Sequence, residues 1–120
     1  MAVILVIDDQ DSIRRLLRLA LEGAGHEVLE ASNGRQGLVV YREHPVELVI
    51  TDIAMPEMNG LELILELTRS FLNVKVIAIS GNHEREKLLD TAKLLGARQT
   101  FQKPFDLTQL LNAIHYDLMH

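Results

Sequence analysis

A doubly wound α/β fold, an open parallel sheet with helices on both faces, is the fold class this sequence predicts. Three observations lead to it. Short aliphatic and β-branched runs alternate five times with longer segments of helical periodicity. The strongest runs are apolar throughout rather than alternating, the pattern of strands covered on both sides. No linker, repeat or low-complexity segment interrupts the 120 residues, so one domain over residues 1–120 is expected. Right-handed crossovers between successive strands then place the helices in two layers around the sheet.

Residues 3–7 (VILVI) form the first expected strand, and Asp11 or Ser12 is placed to cap the helix that follows. Ile13, Leu17, Ala20 and Ala24 recur at helical spacing, and Gly25 can end that helix. Residues 27–31 read as the second strand and Asn33-Gly34 as a turn. Residues 35–43 read as a helix weakened by Gly37 and two valines and broken by Pro45. The third strand is expected over 46–51 (VELVIT), a helix over 61–70, the fourth strand over 74–79, and a helix over 84–95 ending at Gly96. A short fifth strand over 99–102 precedes Lys103-Pro104. Asp106 or Thr108 opens the last helix, whose Leu107, Leu110 or Leu111, Ile114 and Leu118 share one face.

The composition narrows the function. A net charge of −5 argues against a general nucleic-acid surface and against anionic membrane. The absence of cysteine removes disulfides and thiolate metal sites. The apolar start lacks a basic leader and stops at Asp8, too short for a signal core or a membrane span, so a cytoplasmic setting is expected.

In doubly wound sheets, ligands bind at the carboxyl ends of the strands. The residues found there are Asp8 and Asp9 after the first strand, Asp52 after the third, Ser80 after the fourth and Lys103 after the fifth. Taken singly, each has an ordinary reading: Asp11 is best read as a cap, Asp8 or Asp9 can be caps, Ser80-Gly81 a turn, and Lys103 a solvated charge. Their coincidence at four strand ends points elsewhere. Three carboxylates would repel one another unless a cation intervened, and hard oxygen ligands suit Mg²⁺. Such a site would set a phosphoryl group against a carboxylate nucleophile, for which Asp52, alone at its strand end, is suited. Lys103 can pair with the phosphate and Ser80 can donate to it.

These residues carry a family resemblance. "IDD" after the first strand, "TDIAMPEMNG" around Asp52, Ser80, "KPF" at 103–105 and "AKLLGA" at 92–97 resemble a response-regulator receiver domain over the whole chain. The resemblance implies a flavodoxin-like sheet of strand order 2-1-3-4-5 with five helices. It implies Asp52 as phosphoacceptor, Asp8 and Asp9 as the acidic pair, and the backbone carbonyl of Ala54 as a further metal ligand. Ser80 would be the switch hydroxyl and Lys103 the active-site lysine, preceding a cis proline bond. Mg²⁺, with Mn²⁺ as a substitute, would be the cofactor. The phosphodonor would be a sensor histidine kinase or a histidine phosphotransfer protein, and an output partner or effector domain would read the result. The domain would be no dedicated enzyme, beyond its own phosphorylation and dephosphorylation.

One position departs from the pattern. Receivers usually carry Tyr or Phe three residues before the lysine, where this chain has Thr100; Phe101 should point to the opposite face. Readout is therefore expected on the loop after the fourth strand and the start of the next helix. Leu65 is a surface leucine on the third helix, and His26, His44, His83, His115 and His120 read as surface residues without metal-ligand spacing. Two enzyme or cofactor readings fare worse. A haloacid-dehalogenase-type phosphatase would need a second Asp where Ala54 stands, and a flavin binder would not place "DDQDS" against a phosphate. A pure interaction module with a dead site is disfavoured by the intact acidic set. Removing either Asp8 or Asp52 is expected to relieve carboxylate repulsion and raise stability without metal.

Overall fold

The five apolar runs pair in parallel in a computed structural model of the protein, which describes residues 1–55, 58–81 and 86–120. In chain order the elements are β1 (Val3–Ile7), α1 (Asp11–Gly23), β2 (Glu27–Ala31), α2 (Gly34–Glu43), β3 (Leu48–Asp52), α3 (Gly60–Ser70), β4 (Val76–Ser80), α4 (Glu86–Leu95), β5 (Gln99–Gln102) and α5 (Leu107–Met119). The sheet order is β2-β1-β3-β4-β5, as the resemblance implied. Among the described residues no helix is long and apolar enough to cross a membrane.

The three central strands, β1, β3 and β4, are buried on both faces, which is why they carry no polar alternation. Leu5, Ile7, Val49 and Ala78 face a core shared with Leu63, Ile64 and Leu67 of α3 and Leu89 and Ala92 of α4. Ile4, Val6, Leu48, Ile50, Ile77 and Ile79 face the other, with Leu17 and Leu21 of α1 and Leu110 and Ile114 of α5. Each fully buried Leu or Ile contributes about 1.5–3 kcal/mol. Together they hold the strand ends, and the charges on them, in fixed register.

Several boundaries move for local reasons. β3 and β4 each begin two residues later than expected, because pairing starts where Leu48 lies level with Ile4 and Val76 with Val49. Asn33 and Gly34 do not form a free turn: the Asn33 side chain accepts from Gln36 N–H (2.8 Å) and caps α2, with Gly34 its first residue. A Cβ on Gly34 would lie 2.2 Å from the Met58 carbonyl oxygen, so glycine lets α2 start against the loop beyond β3. Asp11 and Ser12 do not cap α1. Gln10 holds the N-cap position, and Asp11 lies in the first helical turn paired with Arg14. The α1 stripe closes on Leu21 rather than Ala24, which is the exposed C-cap residue before Gly25 (φ 90°). Asp106 caps α5 by accepting from Gln109 N–H (3.1 Å).

Leu65 is exposed, as are His44, His115 and His120. His26 is instead half-buried, its Nδ1 accepting from Ala2 N–H (3.2 Å). His83 and the helix start expected at residue 84 lie outside the described residues.

Candidate functional site

The carboxyl end of the sheet brings together the residues that the strand-end argument singled out. Asp8 follows β1 directly and is 1% exposed; Asp52 is the last residue of β3 and is 5% exposed. Asp9 is exposed. Ser80, the last residue of β4, is fully buried, and Lys103 follows β5 with its backbone N–H donating to the Ser80 carbonyl (2.7 Å). The Lys103-Pro104 bond is cis, as the resemblance implied.

Asp8, Asp9 and Asp52 each offer an oxygen, and these oxygens all lie within 4.8 Å of one another. The Lys103 ammonium reaches into the same space, 2.8 Å from Asp8 Oδ2 and 3.4 Å from Asp52 Oδ2. Its stem lies along Gly81, where a Cβ would come within 3.3 Å of Lys103 Cδ. One ammonium against three carboxylates leaves a net negative pocket of hard oxygens, the donor set a small divalent cation prefers. The residues present therefore fit Mg²⁺.

Backbone contacts hold the two buried acids. Asp8 N–H donates to the Ala31 carbonyl (3.1 Å), while Asp8 Oδ1 accepts from Gln10 N–H (2.9 Å). Asp52 Oδ1 accepts from Ala54 N–H (3.3 Å). Gly60 lets α3 start against the end of β3: a Cβ there would lie 2.4 Å from the Asp52 carbonyl oxygen and 2.6 Å from Ile53 Cα. Burial pushes the Asp52 carboxyl above the usual carboxylate range, and the Asp8 charge pushes it further. The Lys103 ammonium and the Ala54 N–H pull the other way without cancelling them. Ser80 Oγ is buried and, among the described residues, has no hydrogen-bond partner, which leaves its hydroxyl able to serve an added acceptor.

Two residues at the site were not anticipated. Gln10 Oε1 accepts from Lys103 Nζ (2.9 Å), and Arg14 donates to the Asp8 carbonyl (2.5 Å) while pairing with Glu30 (3.2 Å). Gln10 had one sequence signal, its place directly after the acidic pair. Arg14 had none, because its reach to Asp8 depends on where α1 begins.

Beside the site, Thr100 borders a groove of about 280 Å³ with Leu89, Asp90 and Gln102. Phe101 packs on the opposite face, against the core under α1 and α5, as strand alternation requires.

The model of the response regulator receiver domain family matches residues 4–115. Chemotaxis protein CheY of Thermotoga maritima is 34% identical over 113 residues, covering 93% of this chain and 93% of that protein. Response regulator GtcR of Aneurinibacillus migulanus is 36% identical over 115 residues, covering 96% of this chain; the chain spans about half of that protein's length, 47%. Among solved structures, response regulator protein TrrA of Thermotoga maritima in complex with Mg²⁺-BeF superposes with a TM-score of 0.88 at 30% identity, covering 98% of this chain and 99% of that one.

Proposed function

We propose, for a chain that belongs to the response regulator receiver domain family, that Asp52 is its phosphoacceptor and that Asp8, Asp9, Asp52 and the Ala54 carbonyl hold Mg²⁺. Members of this family are the phosphoacceptor domains of two-component systems, and this domain acts as one. The observation that carries the residue assignment is the meeting of three carboxylate oxygens within 4.8 Å beside the Lys103 ammonium. The relative captured with Mg²⁺-BeF supports the cation and the phosphoryl position.

An Asp52 carboxylate oxygen attacks the phosphorus of a phosphohistidine on a sensor kinase or phosphotransfer protein. The P–O bond forms as the P–N bond breaks, and the imidazole leaves with the electron pair and takes a proton from solvent. Lys103 follows the charge that develops on the phosphoryl oxygens, and the unpartnered Ser80 hydroxyl turns to donate to one of them. A bound Mg²⁺ supplies charge neutralisation and Lewis acidity at those oxygens. Attack by water on the acyl phosphate later returns the Asp52 carboxylate and inorganic phosphate, so turnover is limited to the domain's own phosphoryl group. Residues 1–120 act as one receiver domain in the cytoplasm, and a partner or effector domain reads a population shift started by Ser80. Mn²⁺ serves in place of Mg²⁺.

Incubation with acetyl phosphate and Mg²⁺ tests the assignment. One phosphoryl group should appear by mass, absent with chelator and absent in Asp52→Ala. Incorporation that survives Asp52→Ala overturns it.

A further inference from the structure

We infer that Gln10 is a positioning residue of the phosphoacceptor site, its amide oxygen fixing the Lys103 ammonium between Asp8 and Asp52; this rests on the function proposed above. An ammonium has three N–H groups, and Lys103 finds three oxygens: Asp8 Oδ2 at 2.8 Å, Gln10 Oε1 at 2.9 Å and Asp52 Oδ2 at 3.4 Å. Gln10 is the only neutral one of the three. Its charge, unlike that of the two carboxylates, is the same whether or not Asp52 carries a phosphoryl group or a cation is bound.

The backbone of Gln10 is fixed at both ends of the residue. Its N–H donates to Asp8 Oδ1 (2.9 Å) and its carbonyl accepts from Arg14 N–H (3.2 Å). The side chain thus springs from a rigid point. Gln10 stands at the N-cap of α1 yet makes no side-chain capping bond. A polar side chain at that position ordinarily serves the helix; here its acceptor serves Lys103 instead. Without it, a four-carbon stem with free rotors would carry the ammonium between two carboxylates and water, and fewer encounters with a phosphodonor would find it in place.

Four proteins test this: wild type, Gln10→Met, Lys103→Ala and the double variant. Gln10→Met keeps the length and removes the acceptor. Phosphoramidate with Mg²⁺ should phosphorylate it about fivefold more slowly than wild type, the net worth of one ordinary hydrogen bond. In chelator, without any phosphodonor, its denaturant midpoint should fall. Both effects should vanish in the Lys103→Ala background. If Lys103→Ala reacts too slowly to time, the midpoints in chelator decide alone. A Gln10→Met protein equal to wild type in both measurements overturns the inference, and so does an equal loss with and without Lys103, which marks a helix-start role. A wild type that takes no phosphoryl group would instead sink the function proposed above, and the chelator cycle would still judge Gln10.

Discussion

The carboxyl and amino ends of the same five strands both bury polar side chains, but they arrange them differently. At the carboxyl end, Asp8 and Asp52 face each other across one lysine, and Gly34 and Gly60 let backbone press against backbone around them. At the amino end the polar groups stand apart. Asp117 of α5 is buried, its Oδ2 without a partner among the described residues; Lys75 donates to the Leu118 carbonyl (3.4 Å), and His26 accepts from Ala2 N–H. Buried polarity alone is therefore no mark of function in this molecule. What separates the ends is convergence: like charges held close by elements distant in sequence, with too few cations among them to neutralise the group.

The sharpest contrast lies in the glycines. Gly60→Ala at the carboxyl end would drive a Cβ into the Asp52 carbonyl and Ile53 Cα, atoms that cannot swing aside. It should cost about 3 kcal/mol and weaken metal-dependent stabilisation as well. Gly23→Ala, at the carboxyl end of α1 and so beside the amino ends of the strands, meets nothing within 4 Å and should gain about 0.5 kcal/mol. Denaturant midpoints with and without Mg²⁺ check both, and equal costs would erase the distinction between the ends.

The carboxylates come next. In chelator at neutral pH, Asp52→Asn should raise the midpoint, since it removes a carboxylate that burial and Asp8 both disfavour. The folded protein holds the Asp52 proton more tightly than the unfolded chain. Wild-type stability therefore falls as pH rises from the ordinary carboxylate range through the raised value, and the advantage of Asp52→Asn opens over that window and closes in acid. Asp8→Asn should bring no such gain, because Asp8 holds both the Gln10 N–H and Lys103. The structure thus separates two residues that the sequence treats alike. Asp117→Asn, which leaves an unpartnered amide for an unpartnered oxygen, should shift the midpoint by less than about 0.5 kcal/mol.

The smallest expected effect is at His26. Burial lowers its pKa, the N-terminal amine and His115 lower it further, and Glu47 opposes them. The unfolded chain then binds the proton more readily. Stability at the amino end should rise with pH between the lowered value and about 6.5, be complete above that, and be lost below it. His26→Asn, with an oxygen to accept from Ala2 N–H, should flatten the profile between pH 5 and 8. An unchanged slope would assign the dependence to other groups.

The strand-end charges were legible because register in a buried parallel sheet follows from apolar content, and strand ends then follow from where that content stops. Asp8, Asp9, Asp52, Ser80 and Lys103 needed nothing else to be placed on one edge. Gln10 and Arg14 were not legible, since their roles depend on the exact residue at which α1 begins. The sequence offered Asp11 and Ser12 as better caps than Gln10. Tertiary context overrode that preference: Asp8 takes the Gln10 N–H and Arg14 draws in Asp11, which starts the helix one residue early. His26 was misread as surface for a similar reason, because its partner is a backbone N–H near the other end of β1.

The placement of Lys103 also bears on how the chain folds. Asp8 and Asp52 come from β1 and β3, which pair side by side, whereas Lys103 arrives on β5 at the far edge of the sheet. A partly assembled form with β1 against β3 but without β5 would hold the two acids close with no ammonium between them. Such a form is disfavoured beyond its loss of apolar packing, and so is a native molecule whose β5 and α5 peel away. The same charges that await a cation thus tie the two halves of the sheet into one cooperative unit.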